Sequence, residues 1–496
     1  MKKITKSLLS LLLLGFTTQV MALNPIQIEN AIPSVPEDHA WTAFNIPANP
    51  HNIEGYADKV SVSIGAKINF FANVNIARDR TYSITIYRLG WYNGVGARRM
   101  TAPVNRVSIK QPIPAPNPKT GLVEANWFLP YSFAVPRSWV SGVYVATLIG
   151  NTTGEGQYVP FVVKNDASRA PYLFQTSDTT WQAYNNWGGK SLYAYNSTDG
   201  IPAVKVSYNR PYNDGAGTGS FSNYEFQMMR FLEREGYDVT YQSNIDTHLG
   251  GMVQLAKHKA FLSVGHDEYW TSAIRNNLEN TKLKGLSLGF FGANAGYWQA
   301  RLERSVLTRT ANRTLVSYKY NAHAQDPYAL DEISAHKAQV TTQWRDPQFF
   351  NRPENALIGI MYLYNPVDGD MVISNANHWI YTGTGLKNGD KLPGLLGYEV
   401  DAYFSNGSAP ANVEILAHSP FNDGTDEVAY ANMSIYTEAC SLLNCISPVA
   451  TVFATGSMQW IWGLDSSWRD INLENIAAQR MTRNVLARMI GDPVPN

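Results

Sequence analysis

The stretch Phe261-Leu-Ser-Val-Gly-His-Asp-Glu-Tyr-Trp270 joins a short apolar run to a histidine, two carboxylates and two aromatic residues. An apolar run that ends in glycine, before polar residues and a helical pattern, is typical of a parallel strand in an α/β sheet. Ligands of open α/β sheets bind beyond the carboxyl ends of such strands. The sequence therefore predicts a functional site directly after Gly265.

The segments around this stretch alternate between strand and helix patterns. A helix is predicted from Phe226 to Gly236, with Ser222 and Glu225 spaced as in a capping box. Strands are predicted at 237–241, 260–265, 285–291 and 450–455, and further helices at 272–283 and 472–490. This order of elements predicts an α/β domain.

The N-terminal third of the chain has a different pattern, in which apolar and polar residues alternate with period two. The alternating runs are 59–64, 67–72, 82–87 and 142–148. They predict an antiparallel β-sandwich of immunoglobulin-like size. The polar segment 165–171, which ends in proline, is a predicted linker. The predicted organisation is a signal peptide at 1–22, a β-sandwich at 23–168 and an α/β domain at 169–496, with an inserted region at about 335–449.

The first 22 residues have the features of a secretory signal peptide. Lys2, Lys3 and Lys6 precede the apolar run 8–16, and small residues follow at Val20-Met-Ala22. The apolar run is shorter than the roughly 20 residues of a membrane-spanning helix. We therefore expect an exported protein, periplasmic or secreted, without stable membrane insertion.

The charge composition disfavours some classes of binding partner. The chain has 40 basic and 40 acidic residues and no block of like charge, which disfavours nucleic acid and anionic membranes as partners. The composition is compatible with a homo-oligomer. The two cysteines, Cys440 and Cys445, favour a small-loop disulfide in an exported protein, with free structural thiols or a metal pair as alternatives.

Several long motifs, in one order along the chain, resemble the large subunit of N,N-dimethylformamidase and its relatives. They are 87–98, 180–185, 231–238, 265–270, 292–294, 344–347, 383–386, 397–399 and 459–465. The resemblance implies a β-sandwich followed by a domain similar to class I glutamine amidotransferases, which is flavodoxin-like. It also implies hydrolysis of the C–N bond of a small, linear, amide-like substrate, as in a formamidase.

The resemblance further implies a mononuclear Fe(III) site with two tyrosinates and one glutamate as ligands. Carried over by motif, the glutamate is Glu268 and the tyrosines are Tyr184 and Tyr224. Hard anionic oxygen ligands suit a ferric ion, and three protein ligands leave positions for water and substrate. Zinc or manganese in the exported compartment remains an alternative metal.

Four further residues form the implied catalytic set. His266 would donate a proton or hydrogen bond to the oxyanion or leaving amine. Asn294 would hold the substrate carbonyl, and Glu399 would act as general base toward metal-activated water. Lys319 would fix the carboxylate of Glu399 or stabilise negative charge.

Other interpretations of these residues remain open. His266, Asp267 and Glu268 also fit a charge cluster at a helix N-terminus, and Lys319 and Glu399 fit a structural ion pair. The alternative function is a non-catalytic exported binding protein that recognises glycan or another cell-surface ligand through aromatic side chains. A small partner subunit is not evident in the sequence.

Overall fold

The computed structural model describes residues 22–469 and 471–495. The predicted signal peptide at 1–22 therefore lies, apart from Ala22, outside the described residues. Across these two ranges, no helix is long and apolar enough to cross a membrane.

Within residues 22–164, the N-terminal region has one α-helix and two β-sheets. Its elements are α1 (Pro25–Asn30), β1 (Ile53–Ala57), β2 (Ser61–Ser63), β3 (Lys67–Val74), β4 (Thr81–Leu89), β5 (Ala97–Arg99), β6 (Val104–Val107), β7 (Tyr131–Ala134), β8 (Gly142–Gly150) and β9 (Gly156–Lys164). Strands β1, β3 and β7 form an antiparallel sheet. The second sheet has the order β2-β9-β8-β4-β5, with β6 also paired to β4 and with β2 parallel to β9.

The two N-terminal sheets share one hydrophobic core. Ile68 and Phe70 of the smaller sheet belong to the same buried cluster as Ile84, Tyr144 and Phe161 of the larger one. Alternate residues of a strand point to opposite faces, so the period-two pattern supplies the apolar face of each sheet. The strands predicted here are confirmed.

The chain continues with mixed helices and strands. The elements are β10 (Tyr172–Thr176), α2 (Asp178–Tyr184), β11 (Lys205–Ser207), α3 (Phe221–Tyr224), α4 (Phe226–Arg234), β12 (Val239–Ser243), α5 (Asn244–Leu255), β13 (Ala260–Gly265), β14 (Tyr269–Thr271), α6 (Ser272–Lys282), β15 (Ser287–Gly292), β16 (Trp298–Glu303) and β17 (Thr314–Val316). Then follow α7 (Ala322–Gln325), α8 (Pro327–Leu330), α9 (Ser334–Lys337), α10 (Asn355–Ile358), β18 (Met361–Val372), β19 (Lys391–Ala402), β20 (Glu414–Asn422), β21 (Val428–Ala439), β22 (Val449–Ala454) and α11 (Ile476–Ile490). Short 3₁₀ helices lie at Pro36–Thr42, Pro50–Asn52, Tyr92–Gly94, Trp187–Gly189, Thr198–Gly200, Gly215–Gly217, Lys319–Asn321, Trp379–Tyr381 and Met458–Gly463.

A seven-stranded sheet organises this part of the molecule. Its order is β12-β10-β13-β15-β22-β21-β20. The first five strands run parallel, and β21 pairs antiparallel with both of its neighbours, β22 and β20. Helices α4 and α11 share a core with one face, and α5 and α6 share a core with the other. Because both faces are covered, β13 and β15 are buried along their whole lengths, which explains their apolar sequences. The protein is thus a multidomain, β-rich fold with several sheets and a helix-covered parallel core.

The predicted capping box at Ser222 and Glu225 is wrong. The chain forms two helices here, α3 and α4, and Glu225 between them has the non-helical φ of −139°. The carboxylate of Glu225 accepts hydrogen bonds from Trp181 Nε1 at 2.6 Å and from the Ser177 amide at 3.3 Å. The side chain therefore connects α4 to the start of α2 rather than capping its own helix.

The region predicted as an insertion contributes to the main sheet. Strands β18 and β19 form a separate antiparallel pair, whereas β20 and β21 extend the seven-stranded sheet at its edge. The pairing of β21 with β22 joins this region to the parallel strands. The hairpin of β18 and β19 carries Asn365 and Glu399 toward the strand ends described below.

Cys440 and Cys445 form a disulfide after β21, which confirms the favoured assignment. A loop this short restricts the unfolded chain only modestly, so the double change Cys440→Ser/Cys445→Ser is expected to lower the free energy of unfolding by about 2 kcal/mol. Thermal unfolding with and without a reducing agent measures the effect. Reduction should lower the wild-type midpoint and leave the double variant unchanged, and an equal response of both proteins would contradict the prediction.

Candidate functional site

Two glycines bring the ends of the neighbouring strands β13 and β15 into close contact. A Cβ atom on Gly292 would lie 1.9 Å from the Gly265 carbonyl oxygen, and a Cβ on Gly265 would lie 2.1 Å from the Tyr224 carbonyl oxygen. Gly265 also has a φ of +71°, which favours glycine. The chain leaves both strands at the same edge of the sheet, and His266 and Asn294 follow there.

Glu268 is the centre of a buried cluster of oxygen atoms. Its side chain is enclosed, and the Thr180 hydroxyl accepts a hydrogen bond from its backbone amide at 2.9 Å. Tyr184 Oη donates to Glu268 Oε2 at 2.9 Å. Tyr193 Oη lies 3.0 Å from Oε1 and 2.9 Å from Oε2. Two tyrosine oxygens and one carboxylate therefore converge in the interior.

The tyrosine that accompanies Tyr184 in this cluster is Tyr193, not the predicted Tyr224. The Tyr193 ring stacks on Tyr184 with a centroid distance of 4.2 Å. The Tyr224 ring stacks instead on Trp462 at 5.7 Å, because the short helix α3 turns it toward the 3₁₀ helix that contains Trp462. Tyr193 lies outside any helix or strand, and the local sequence does not distinguish it from the other tyrosines. Only the three-dimensional contact identifies it.

Glu399 forms a second buried carboxylate beside this cluster. Its Oε2 accepts a hydrogen bond from Asn294 Nδ2 at 2.7 Å, and its Oε1 accepts one from Asn365 Nδ2 at 2.8 Å. The Asn294 amide nitrogen, predicted to hold the substrate carbonyl, thus donates one of its two N–H groups to Glu399. Asn365 was not predicted, because its role depends on the pairing of β18 with β19.

His266 lies between the two carboxylates. Its Nε2 is 3.1 Å from Glu399 Oε2 and 3.3 Å from Glu268 Oε2. The angles are not those of a hydrogen bond, so among the described residues Nε2 has no hydrogen-bond partner. The atom is close enough to exchange a proton with either carboxylate after a small rotation of the ring.

The electrostatics of the site favour a protonated histidine and an ionised Glu399. Burial alone would lower the pKa of His266, but the charges of Glu399 and Glu268 outweigh it and raise the pKa to about 9. Burial would raise the pKa of Glu399, but the charge of His266 and the hydrogen bonds to the carboxylate hold it below its ordinary value. Burial raises the pKa of Glu268, against the opposing charge of His266.

Lys319 contacts the tyrosine side of the site. Its Nζ lies 3.0 Å from the centroid of the Tyr193 ring, as in a cation–π contact. Burial lowers the pKa of Lys319 to about 7, although the charge of Glu268 opposes the shift. The structure thus places Lys319 against Tyr193, whereas the sequence predicted that it would fix the carboxylate of Glu399 or stabilise negative charge.

A cavity of about 360 Å³ gives access to the oxygen cluster and to Glu399. Its lining includes Tyr184, Tyr193, Glu268, Asn294, Lys319 and Glu399. The cavity lies beyond the carboxyl ends of β13 and β15, where the sequence predicted the site. Its size is within the range of about 300–1,000 Å³ that is typical of small-molecule sites.

The oxygen cluster fits a small, hard cation. In residues 22–469 and 471–495, no group of three or more His, Cys, Asp or Glu side chains has the arrangement of a metal site. The cluster around Glu268 is outside that definition, because two of its three side chains are tyrosines. The separations of 2.9 to 3.0 Å between each tyrosine oxygen and the Glu268 carboxylate match those of neighbouring ligands around an ion with bonds of about 2.0 Å. Burial and the charge of Glu268 raise the pKa of both tyrosines well above the ordinary value, so only a strongly charged cation would ionise them.

Comparison with known proteins assigns the chain to a family. The family described as N,N-dimethylformamidase beta subunit-like, C-terminal, matches residues 83–475. A curated relative, the N,N-dimethylformamidase beta subunit of an Alcaligenes species, is 21% identical over 452 residues, which cover 75% of this chain and 56% of the relative. The chain thus spans about half the length of this relative. Since the matched region includes the parallel strands, the oxygen cluster and Glu399, the chain belongs to the N,N-dimethylformamidase beta subunit-like family.

Proposed function

We propose that this protein is an exported, iron-dependent hydrolase of the C–N bond of an amide. The proposal rests on one observation, the buried convergence of Tyr184, Tyr193 and Glu268 beside His266 and Glu399 at an accessible cavity. The name of the matched relative supplies the reaction class. The oxygen donors supply the argument for a ferric ion.

The proposal includes a finer description of the fold. The two facing N-terminal sheets support an immunoglobulin-like sandwich that ends near residue 168. The parallel strands with helices on both faces support an α/β domain like that of class I glutamine amidotransferases. Gly265 leads to a histidine and two carboxylates rather than to a serine or cysteine, which argues against a covalent acyl-enzyme.

Tyr184, Tyr193 and Glu268 would hold the ferric ion. When bound, such an ion supplies Lewis acidity, which polarises an amide carbonyl and lowers the pKa of water. Lys319, against the Tyr193 ring, would add positive charge near the same oxygens. These three side chains are already together, because Glu268 contacts both tyrosines.

Glu399 and His266 are suited to the two proton transfers of amide hydrolysis. The ionised Glu399 would take a proton from the attacking water, and the protonated His266 would give one from Nε2 to the nitrogen of the leaving amine. The 3.1 Å between Nε2 and Glu399 Oε2 would let the proton return to His266 for the next turnover. Asn294 and Asn365 orient Glu399 by binding one carboxylate oxygen each.

The metal content and visible absorption of the purified protein test this proposal. We expect bound iron with a tyrosinate-to-iron absorption band, and loss of that band in Tyr184→Phe and Tyr193→Phe. Tyr224→Phe is the matched control and should retain both iron and band, because its ring lies on Trp462.

The outcomes separate the alternatives. Loss of the band in Tyr224→Phe but not in Tyr193→Phe would favour Tyr184 and Tyr224, the pair predicted from the sequence, as the iron ligands. Zinc or manganese in the purified protein would change the metal but not the donor set. A protein that stays metal-free and colourless after incubation with iron would overturn the iron mechanism, and would favour the alternative function as a binding protein.

A further inference from the structure

The aromatic lining of the cavity continues outward to solvent. Tyr184 contacts Glu268, Tyr193 stacks on Tyr184, and the Tyr195 ring follows at 5.8 Å from Tyr193. Tyr195 is 75% exposed. These three rings lead from the buried carboxylate to the surface.

A second group of aromatic rings lines the cavity on the side of β16 and the 3₁₀ helix Lys319–Asn321. The Tyr320 ring lies edge-on to Trp298 at 4.9 Å, and its hydroxyl is 3.1 Å from that of Tyr297. Tyr320 is nevertheless 70% exposed, although it lines the cavity directly. Trp298 and Tyr297 thus contact the ring, and most of it remains exposed to solvent.

The exposure of these rings suggests a role in binding. Large aromatic side chains usually contribute to stability by being buried. Exposed ones that line a cavity, as Tyr320 does, or that contact its lining, as Tyr195 does, are common at ligand sites. The cavity volume of about 360 Å³ also exceeds the need of a formamide, which has only a few non-hydrogen atoms. The space and the exposed rings both indicate a larger group on the substrate.

We infer that the substrate is an amide with an uncharged, flat ring as its acyl or amine substituent, and that this ring stacks on the exposed tyrosines Tyr195 and Tyr320. The inference rests on the proposed function for the position of the amide group, near Glu268 and Glu399. An aromatic ring and a sugar ring share the necessary chemistry, since both present a flat face of carbon atoms to a tyrosine. A formamide without a ring leaves this surface unused.

Equilibrium binding tests the inference without turnover. The Glu268→Gln variant, in which hydrolysis should stop, is titrated calorimetrically with benzamide, with N-acetylglucosamine and with N-methylformamide. We expect one of the two ring probes to bind more tightly than N-methylformamide, and the one that binds identifies the ring as aromatic or carbohydrate. Adding Tyr195→Ala or Tyr320→Ala should weaken its binding by roughly 3- to 10-fold. Phe128→Ala, a change of an aromatic residue that is 53% exposed and remote in the chain, is the matched control and should not weaken it.

Steady-state kinetics of the protein with an intact Glu268 give a second readout. Both tyrosine changes should lower kcat/KM for the ring amide relative to that for N-methylformamide, whereas Phe128→Ala should leave the ratio and the activity unchanged. The inference is overturned if neither ring probe binds better than N-methylformamide, or if the tyrosine variants bind the ring probe as the control does. Hydrolysis of small formamides in that case would leave the proposed function intact. Tyrosine-dependent binding without hydrolysis would overturn the proposed function alone.

Discussion

Glu268→Gln is expected to remove bound iron and to lower the rate of amide hydrolysis by at least about 1,000-fold. The glutamine side chain has nearly the same shape, so the cavity and both tyrosines keep their positions. The carboxylate that accepts from Tyr184 and Tyr193 is lost, and with it the anionic donor at the centre of the cluster. Metal analysis and initial rates measure the two effects together.

The same variant is expected to be at least as stable as the wild type when both are metal-free. Burial raises the pKa of Glu268, which means that the ionised side chain is costly in the folded protein. Gln at this position removes that cost, as is common when a strained functional residue is replaced. A variant with lost activity and a much lower thermal midpoint would instead show a structural role for Glu268.

Glu233→Gln is expected to lower the free energy of unfolding by about 3–5 kcal/mol. Glu233 on α4 and Arg88 on β4 form an ion pair with side chains that are both fully buried, with N–O distances of 2.7 and 2.9 Å. The variant would leave the Arg88 guanidinium in the interior without a counter-charge. Because β4 belongs to an N-terminal sheet and α4 covers the parallel sheet, the pair also connects these two parts of the protein.

Urea denaturation followed by tryptophan fluorescence measures this effect. Arg78→Met is the control, because Arg78 pairs with Glu155 at the surface and its removal should cost no more than about 1 kcal/mol. The double variant Arg88→Met/Glu233→Leu should recover much of the stability, since it leaves no unpaired charge. Equal decreases in the free energy of unfolding for Glu233→Gln and Arg78→Met would show that the Arg88–Glu233 pair contributes little to stability.

The sequence predicted the elements of the fold well where one periodicity dominates. The alternation at 67–72 and 82–87 matches β3 and β4, and the apolar run ending at Gly265 matches β13. The capping box at Ser222 failed because the carboxylate of Glu225 has stronger partners in α2, which are distant in sequence. Local sequence patterns also could not predict that β20 and β21 belong to the main sheet, because this depends on the pairing of β21 with β22.

The site was predictable only in part, for a related reason. His266, Glu268, Asn294 and Glu399 lie in motifs that could be recognised, and the structure brings them together. Tyr193 and Asn365 carry no local signal, because each acquires its contacts through the packing of segments far apart in sequence.

The position of β22 has a consequence for how the protein is made. This strand comes from Val449–Ala454, far along the chain from β15, yet it lies inside the seven-stranded sheet between β15 and β21. A growing chain therefore lacks this inner strand until residue 454 has been made, and until then β15, which precedes Asn294, has no neighbour on that side. Since domains fold as units, we expect Glu268 and Glu399 to meet only after β22 has joined the sheet. The cellular compartment in which folding ends would then decide which metal ions the newly formed oxygen cluster encounters.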